Sequence, residues 1–148
     1  MHKRFDELKT NNLNNQVLYL ENGKYIGQIV NGLAEGRGIQ YGTKEPFIGD
    51  RYEGEWKNNK KEGKGIYYWN NGDKYEGDWR NGKFEGKGIY YYNNGDRYEG
   101  DWRNDKFEGK GIYYFNNGNR EMGDYLNNKK IGKHVTLTSN GEVIVNNY

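Results

Sequence analysis

Hydrophobic and polar positions along this chain follow two patterns that keep returning in the same order. In "YEGDW" (Tyr75–Trp79) rings and glycine alternate with acids at a period of two, the sign of a half-buried strand. "GKGIYYY" (Gly86–Tyr92) is a second extended run, rich in residues that favour strands. Between them stand "RNGKFE" and "NNGDR", and Asn-Gly is the strongest short signal for a hairpin turn. Helix is disfavoured throughout, because each interior glycine costs ~1 kcal/mol. The pattern predicts tandem β-hairpins.

The period is 23 residues, set by the "YEG" tyrosines at 52, 75 and 98. Trp56, Trp79 and Trp102 recur at the fifth place of each unit, and glycines at the third, twelfth, fourteenth and usually twenty-first. An imperfect copy starts at Tyr25 with Ile29 at the tryptophan place, and it holds four extra residues around "TKEP". A degenerate copy follows from Glu121, with Tyr125 at the tryptophan place and His134 at a glycine place. Before Tyr25, "VLYLENGK" reads as half a unit. The organisation is therefore a tail or short capping helix at 1–16, then a repeat array over 17–143. The array comprises a half unit at 17–24, units at 25–51, 52–74, 75–97 and 98–120, and a degenerate unit at 121–143. A capping strand or tail occupies 144–148. The "FDELKTNNL" stretch is the candidate helix over the first strand, and "VTLTSNGEVIVNNY" a closing hairpin that caps the array or offers an edge for self-association.

An odd period constrains register. A slip of one residue turns every side chain to the other face, so one loop per unit must hold an odd number of residues. We assign the odd loop to "NNGDR". The simplest register then sets Trp79 opposite Gly86, Gly77 opposite Gly88 and Tyr75 opposite Tyr90. One face would carry these rings, with Gly77, Gly86 and Gly88 as sockets. The other face would pair Asp78 with Lys87, and Asp101 with Lys110. About twelve strands spaced ~4.8 Å apart give a sheet roughly 50 Å long. The expected fold is all-β: an elongated, twisted, single-layer antiparallel meander.

Composition sharpens this. Leu, Ile, Val and Phe total 26 of 148 residues, low enough to raise the question of disorder. Yet there are 15 Tyr and 4 Trp, and the net charge is only +2, so aromatics stand in for aliphatics in an ordered core. No cysteine is present, which fits a reducing compartment; "MHKRFDELKTNN" lacks an apolar leader, and no apolar run approaches ~20 residues. These features point to a soluble cytoplasmic protein. Residues 75–97 carry four basic and four acidic groups, as do 98–120, and interleaved neutrality argues against nucleic acid.

Catalytic chemistry is not indicated. His2 and His134 have no acidic partners at ligand spacing, so neither metal nor cofactor is expected. Glu53/Glu55, Glu76/Asp78 and Glu99/Asp101 repeat in equivalent settings, whereas glycosidic chemistry wants two carboxyls in different environments. "EGKG" lacks the G-x-x-x-x-G-K-[ST] form of a phosphate loop.

"YEGDWRNGKFEGKG…NNGD" resembles the MORN motif (membrane occupation and recognition nexus), Y-x-G-x-W followed by G-x-G and G-D, three times almost residue for residue. The bacterial choline-binding repeat shares the "YY" and "NxxG" strings but has a shorter period and no "YEGDW" strand. The MORN resemblance implies a hairpin solenoid with an aromatic-lined groove and a non-catalytic role in cytoskeletal, ciliary or membrane-contact assemblies. The candidate groove residues are Tyr52, Trp56, Tyr67, Trp69, Tyr75, Trp79, Tyr90, Tyr92, Tyr98, Trp102, Tyr113 and Phe115. A protein partner in a larger assembly is the leading expectation, with an accessory subunit of an enzyme complex beside it. Peripheral binding to anionic phospholipid is the alternative, through Lys57, Lys60, Lys61 and Lys64, the marked local basic excess.

Overall fold

The computed structural model describes residues 16–148. They form twelve strands: β1 (Gln16–Leu20), β2 (Gly23–Val30), β3 (Leu33–Gly42), β4 (Arg51–Lys57), β5 (Lys60–Tyr68), β6 (Lys74–Arg80), β7 (Lys83–Tyr91), β8 (Arg97–Arg103), β9 (Lys106–Tyr114), β10 (Arg120–Leu126), β11 (Lys129–Leu137) and β12 (Val143–Asn147). All belong to one antiparallel sheet in which each strand neighbours the next in sequence. None of the described residues is helical, and the candidate "FDELKTNNL" helix lies outside them.

From β2 onward, two kinds of turn alternate along the meander. The short ones join Arg80 to Lys83 and Arg103 to Lys106 through two residues. Asn81 and Gly82 have φ of 51° and 80°; Asn104 and Asp105 have φ of 48° and 65°. Left-handed conformations at both central positions define a type I′ turn, which suits the strand twist and favours Asn, Asp and Gly. The long turns hold the odd loop: Tyr91 pairs with Arg97, leaving five residues, Tyr92–Asp96, between them. Parity is preserved, and Tyr52, Tyr75 and Tyr98 do share a face, packed in one aromatic cluster.

The register inside each hairpin differs from the simplest reading. Tyr75–Tyr90 and Gly77–Gly88 pair as expected, but Trp79 sits opposite Phe84, not Gly86. The register shifts by two residues between Gly77 and Trp79. Gly86 makes the shift possible by turning left-handed, with φ of 65°, and a Cβ there would press on the Asp78 carboxylate. It is a bulge, not a socket. The shift also breaks the expected acid–lysine pairs. Lys87 pairs with Asp101 of the following hairpin, and Lys64 with Asp78, each as an ion pair. Asp78 instead accepts the backbone N–H of Lys87 at 3.1 Å, as Asp101 does that of Lys110 at 3.0 Å.

The core is built from rings laid on glycines. A Cβ at Gly88 or Gly77 would collide with the Tyr75 side chain, and Gly111 and Gly100 hold Tyr98 in the same way. Tyr75 then donates its hydroxyl to the Asp78 carbonyl at 2.9 Å. Tyr52 and Tyr75 are each clamped edge-on by two indoles, their own and that of the next unit: Tyr75 meets Trp79 and Trp102, both at 5.3 Å, whereas Tyr98 meets Trp102 and Tyr125. The Trp102 indole N–H reaches back to the Gly88 carbonyl at 3.2 Å, tying one hairpin to the last. Such ring pairs add ~0.5–1.5 kcal/mol each beyond burial.

At the long-turn margin a second stitch also runs from a later unit back to the one before it. Asp73 accepts the Tyr90 hydroxyl at 2.9 Å and the Asn93 amide at 2.8 Å. Asp50 does the same for Tyr67 and Asn70, and Asp96 for Tyr113 and Asn116. The Asn116 amide, chiefly, holds the Asp96 pKa below the ordinary carboxylate value.

Candidate partner-binding face

The expected aromatic groove is closed. Tyr52, Trp56, Tyr67, Tyr75, Trp79, Tyr98 and Trp102 are all buried, Tyr75 and Tyr98 completely. Because glycine leaves no Cβ, each tyrosine ring lies flat on the sheet and the indoles fill the space between rings. These seven are the core of the protein rather than a contact surface. Trp69, Tyr90, Tyr92 and Tyr113 are partly buried against it, and Phe115 packs on Tyr113 at 4.7 Å. Burial pushes the Tyr75, Tyr90 and Tyr98 hydroxyls above the ordinary tyrosine value, and Tyr25 to about 12.

The open face is the other one. A trough of about 1120 Å³ crosses β5 to β11. Its floor is glycine backbone (Gly65, Gly88, Gly111) flanked by Ile66, Ile89, Ile112 and Val135. Lys64, Lys87, Lys110 and Lys133 border it along one row, with Glu76 and Glu99 further along the strands. Beyond the floor a row of tyrosines carries cations: Arg51 over Tyr68 at 4.4 Å, Lys74 over Tyr91 at 4.1 Å and Arg97 over Tyr114 at 4.0 Å. Sequence reasoning missed this face because the isoleucines were read as ordinary strand formers. Their recurrence at the fifteenth place of each unit, on the side away from the tyrosines, was the available signal.

The model of the MORN repeat matches residues 25–44, 52–74, 75–97 and 98–120, more than half of the chain. The chain belongs to the MORN repeat family. No curated protein matches it. MORN repeat proteins are generally non-catalytic. Among the described residues no three His, Asp or Glu side chains gather as a metal-ligand set, and no helix is long and apolar enough to cross a membrane.

The four candidate lipid-contacting lysines are not brought together in these MORN units. Lys57 and Lys60 face each other across the Asn58–Asn59 turn. Lys64 is ion-paired with Asp78 on the trough face. Lys61 turns to the aromatic face, where its Nζ lies 4.6 Å from the Tyr67 ring centre and 5.6 Å from that of Trp79. Burial pulls its pKa down to about 8. Phe84 and Phe107 hold the equivalent place in the next two units, stacked on Tyr75 and Tyr98 at 3.8 and 3.7 Å.

The degenerate unit keeps the geometry by other means. His134 is fully buried, and its ring occupies the space above Gly123 that a tyrosine would fill. Its Nε2 lies 2.8 Å from the Asp124 carbonyl. Its Nδ1 stands 3.0 Å from the Glu121 carboxylate, without the alignment of a hydrogen bond. Lys130 completes the cluster at 2.7 Å from the same carboxylate. Burial opposes the Lys130 charge, but the Glu121 carboxylate outweighs it and holds the pKa above the ordinary lysine value.

Proposed function

We propose that this chain is a non-catalytic scaffold that binds a segment of a protein partner in the trough, as one component of a cytoplasmic assembly of the cytoskeletal or ciliary kind. The observation that carries the reading is the trough itself, a concavity floored by glycine backbone with Ile89, Ile112 and Val135 half-buried along it, on a sheet whose aromatic face is already filled. A concave apolar floor rimmed by polar residues is a form that interaction grooves take. An accessory subunit of an enzyme complex would use the same surface. Membrane attachment is less favoured, because polybasic attraction needs cations acting together at ~1 kcal/mol each, and here Lys64 is ion-paired with Asp78 while Lys61 is turned to the aromatic face.

The test is affinity purification from the native source with the unaltered chain and with the double variant Ile89→Asp/Ile112→Asp. Both positions are half-buried on the trough face, so the sheet folds with aspartate there, which circular dichroism checks. Partners lost from the folded variant support the reading. An unchanged set of partners removes the trough from consideration.

A further inference from the structure

The trough is not the same at its two ends. Toward β5–β7 every bordering lysine is neutralised, Lys64 by Asp78 and Lys87 by Asp101. Toward β9–β11 the balance breaks. Among the described residues neither Lys110 nor Lys133 makes an ion pair: Lys110 stands opposite Asp124 in register and gives its backbone N–H to Asp101, which is already paired with Lys87, and Lys133 lies opposite Asn147. The place held by Glu76 and Glu99 passes to Met122, which is 38% exposed. One end of the trough therefore carries an excess of one cation, Lys110 and Lys133 against Asp124, while Glu76 and Glu99 line the remainder.

The floor also has a ruler. Ile66, Ile89, Ile112 and Val135 stand on alternate strands, about 9.6 Å apart. Three residues of a polyproline-type extended chain advance about 9.3 Å and return to the same face. Two turns of α-helix advance about 10.8 Å, so a helix falls out of step across four such sites.

We propose that the trough takes an extended polypeptide of about nine or ten residues lying across the strands, with an apolar side chain at every third position and acidic residues at the end over Lys110 and Lys133. This rests on the scaffold reading above and names the chemistry of its partner. Neutral pairs along β5–β7 repel neither sign, so the end of the segment at β9–β11 sets polarity and direction. The isoleucines set spacing.

The experiment uses fluorescein-labelled synthetic peptides of Leu-Pro-Pro repeats, titrated against the whole chain by fluorescence anisotropy at low salt. They end in Asp-Asp or Lys-Lys, at either terminus, and a control carries leucine at every second position. The expected result is a preference of about tenfold for one Asp-Asp peptide, fading as salt rises. Lys110→Glu/Lys133→Glu should reverse that preference and leave the fold unchanged. Ile89→Asp/Ile112→Asp should abolish binding of all the peptides. Equal affinity for acidic and basic ends, or for the two leucine spacings, overturns the proposal. So does binding to phosphatidylserine vesicles that depends on Lys110 and Lys133 while no peptide binds. If no peptide binds but Ile89→Asp/Ile112→Asp still strips the native partners, the partner chemistry is wrong and the scaffold reading stands. If that variant strips nothing either, both fall.

Discussion

Units 98–120 and 121–143 solve one packing problem with different residues. In the first, Tyr98 lies on Gly100 and Gly111, gives its hydroxyl to the Asp101 carbonyl at 3.2 Å and stacks with Phe107. In the second, Glu121 stands where the tyrosine would be and Lys130 where the phenylalanine would be. The ring comes instead from the facing strand. His134, at the socket position, fills the same space and meets the equivalent carbonyl of Asp124. What the fold requires is a ring in that space and a donor for that carbonyl; which strand supplies them is free. The exchange has a cost, since the Tyr125 hydroxyl and two atoms of the Glu121–His134 contact are buried without hydrogen bonds.

The sharpest way to break the comparison is alkaline pH. Tyr75 and Tyr98 have folded pKa values raised above 10.0, chiefly by burial. Their contribution is fully present below the unfolded tyrosine value and is lost as pH rises beyond it, so the regular units should melt together above about pH 10. Ultraviolet titration of tyrosinate against circular dichroism checks this; early ionisation with the sheet intact would refute it.

Next in size is Tyr98→Ala, which should cost about 3–5 kcal/mol in denaturant unfolding by removing a fully buried ring. Gly111→His should cost about 1–3 kcal/mol, because imidazole and the Tyr98 ring claim the same space. Adding Tyr98→Glu and Phe107→Lys transplants the terminal arrangement and should recover about 0.5–3 kcal/mol of coupling. Strict additivity would mean that the two units are not equivalent solutions. Smallest is Lys61→Phe, expected to stabilise by roughly 0.5–1.5 kcal/mol through a restored stack on Tyr52. It should also remove a rise in stability between pH 8 and 10.5, where Lys61 with its lowered pKa stays charged only in the unfolded chain.

The hairpins, the shared face of Tyr52, Tyr75 and Tyr98, the odd loop at "NNGDR" and the buried seat of His134 were all legible in the sequence. Periodicity and parity suffice for these. The two-residue register shift was not, because Gly86 and Gly88 are the same letter doing different work. One bends the backbone and the other receives a ring. The shift then hands Lys87 to Asp101 rather than Asp78, so the ion pairs run between hairpins instead of within them. The burial of the aromatic face was not legible for a related reason. Counting aromatic residues does not reveal that rings lying flat on glycine close the surface they line.

The paired stitches of the sheet also govern how such a chain can lengthen. Trp102 donates back to the carbonyl of Gly88, and Tyr90 donates back to the carboxylate of Asp73. No unit owns all of its contacts, and no cut point leaves a finished edge. A gene duplication of 23 codons, begun at any phase within the repeat, still delivers every donor to an acceptor, because the new copy is completed by its neighbours. Growth by tandem copying is thus tolerant of where the break falls and intolerant of how long it is: one residue more or less would turn the following tyrosines to the opposite face.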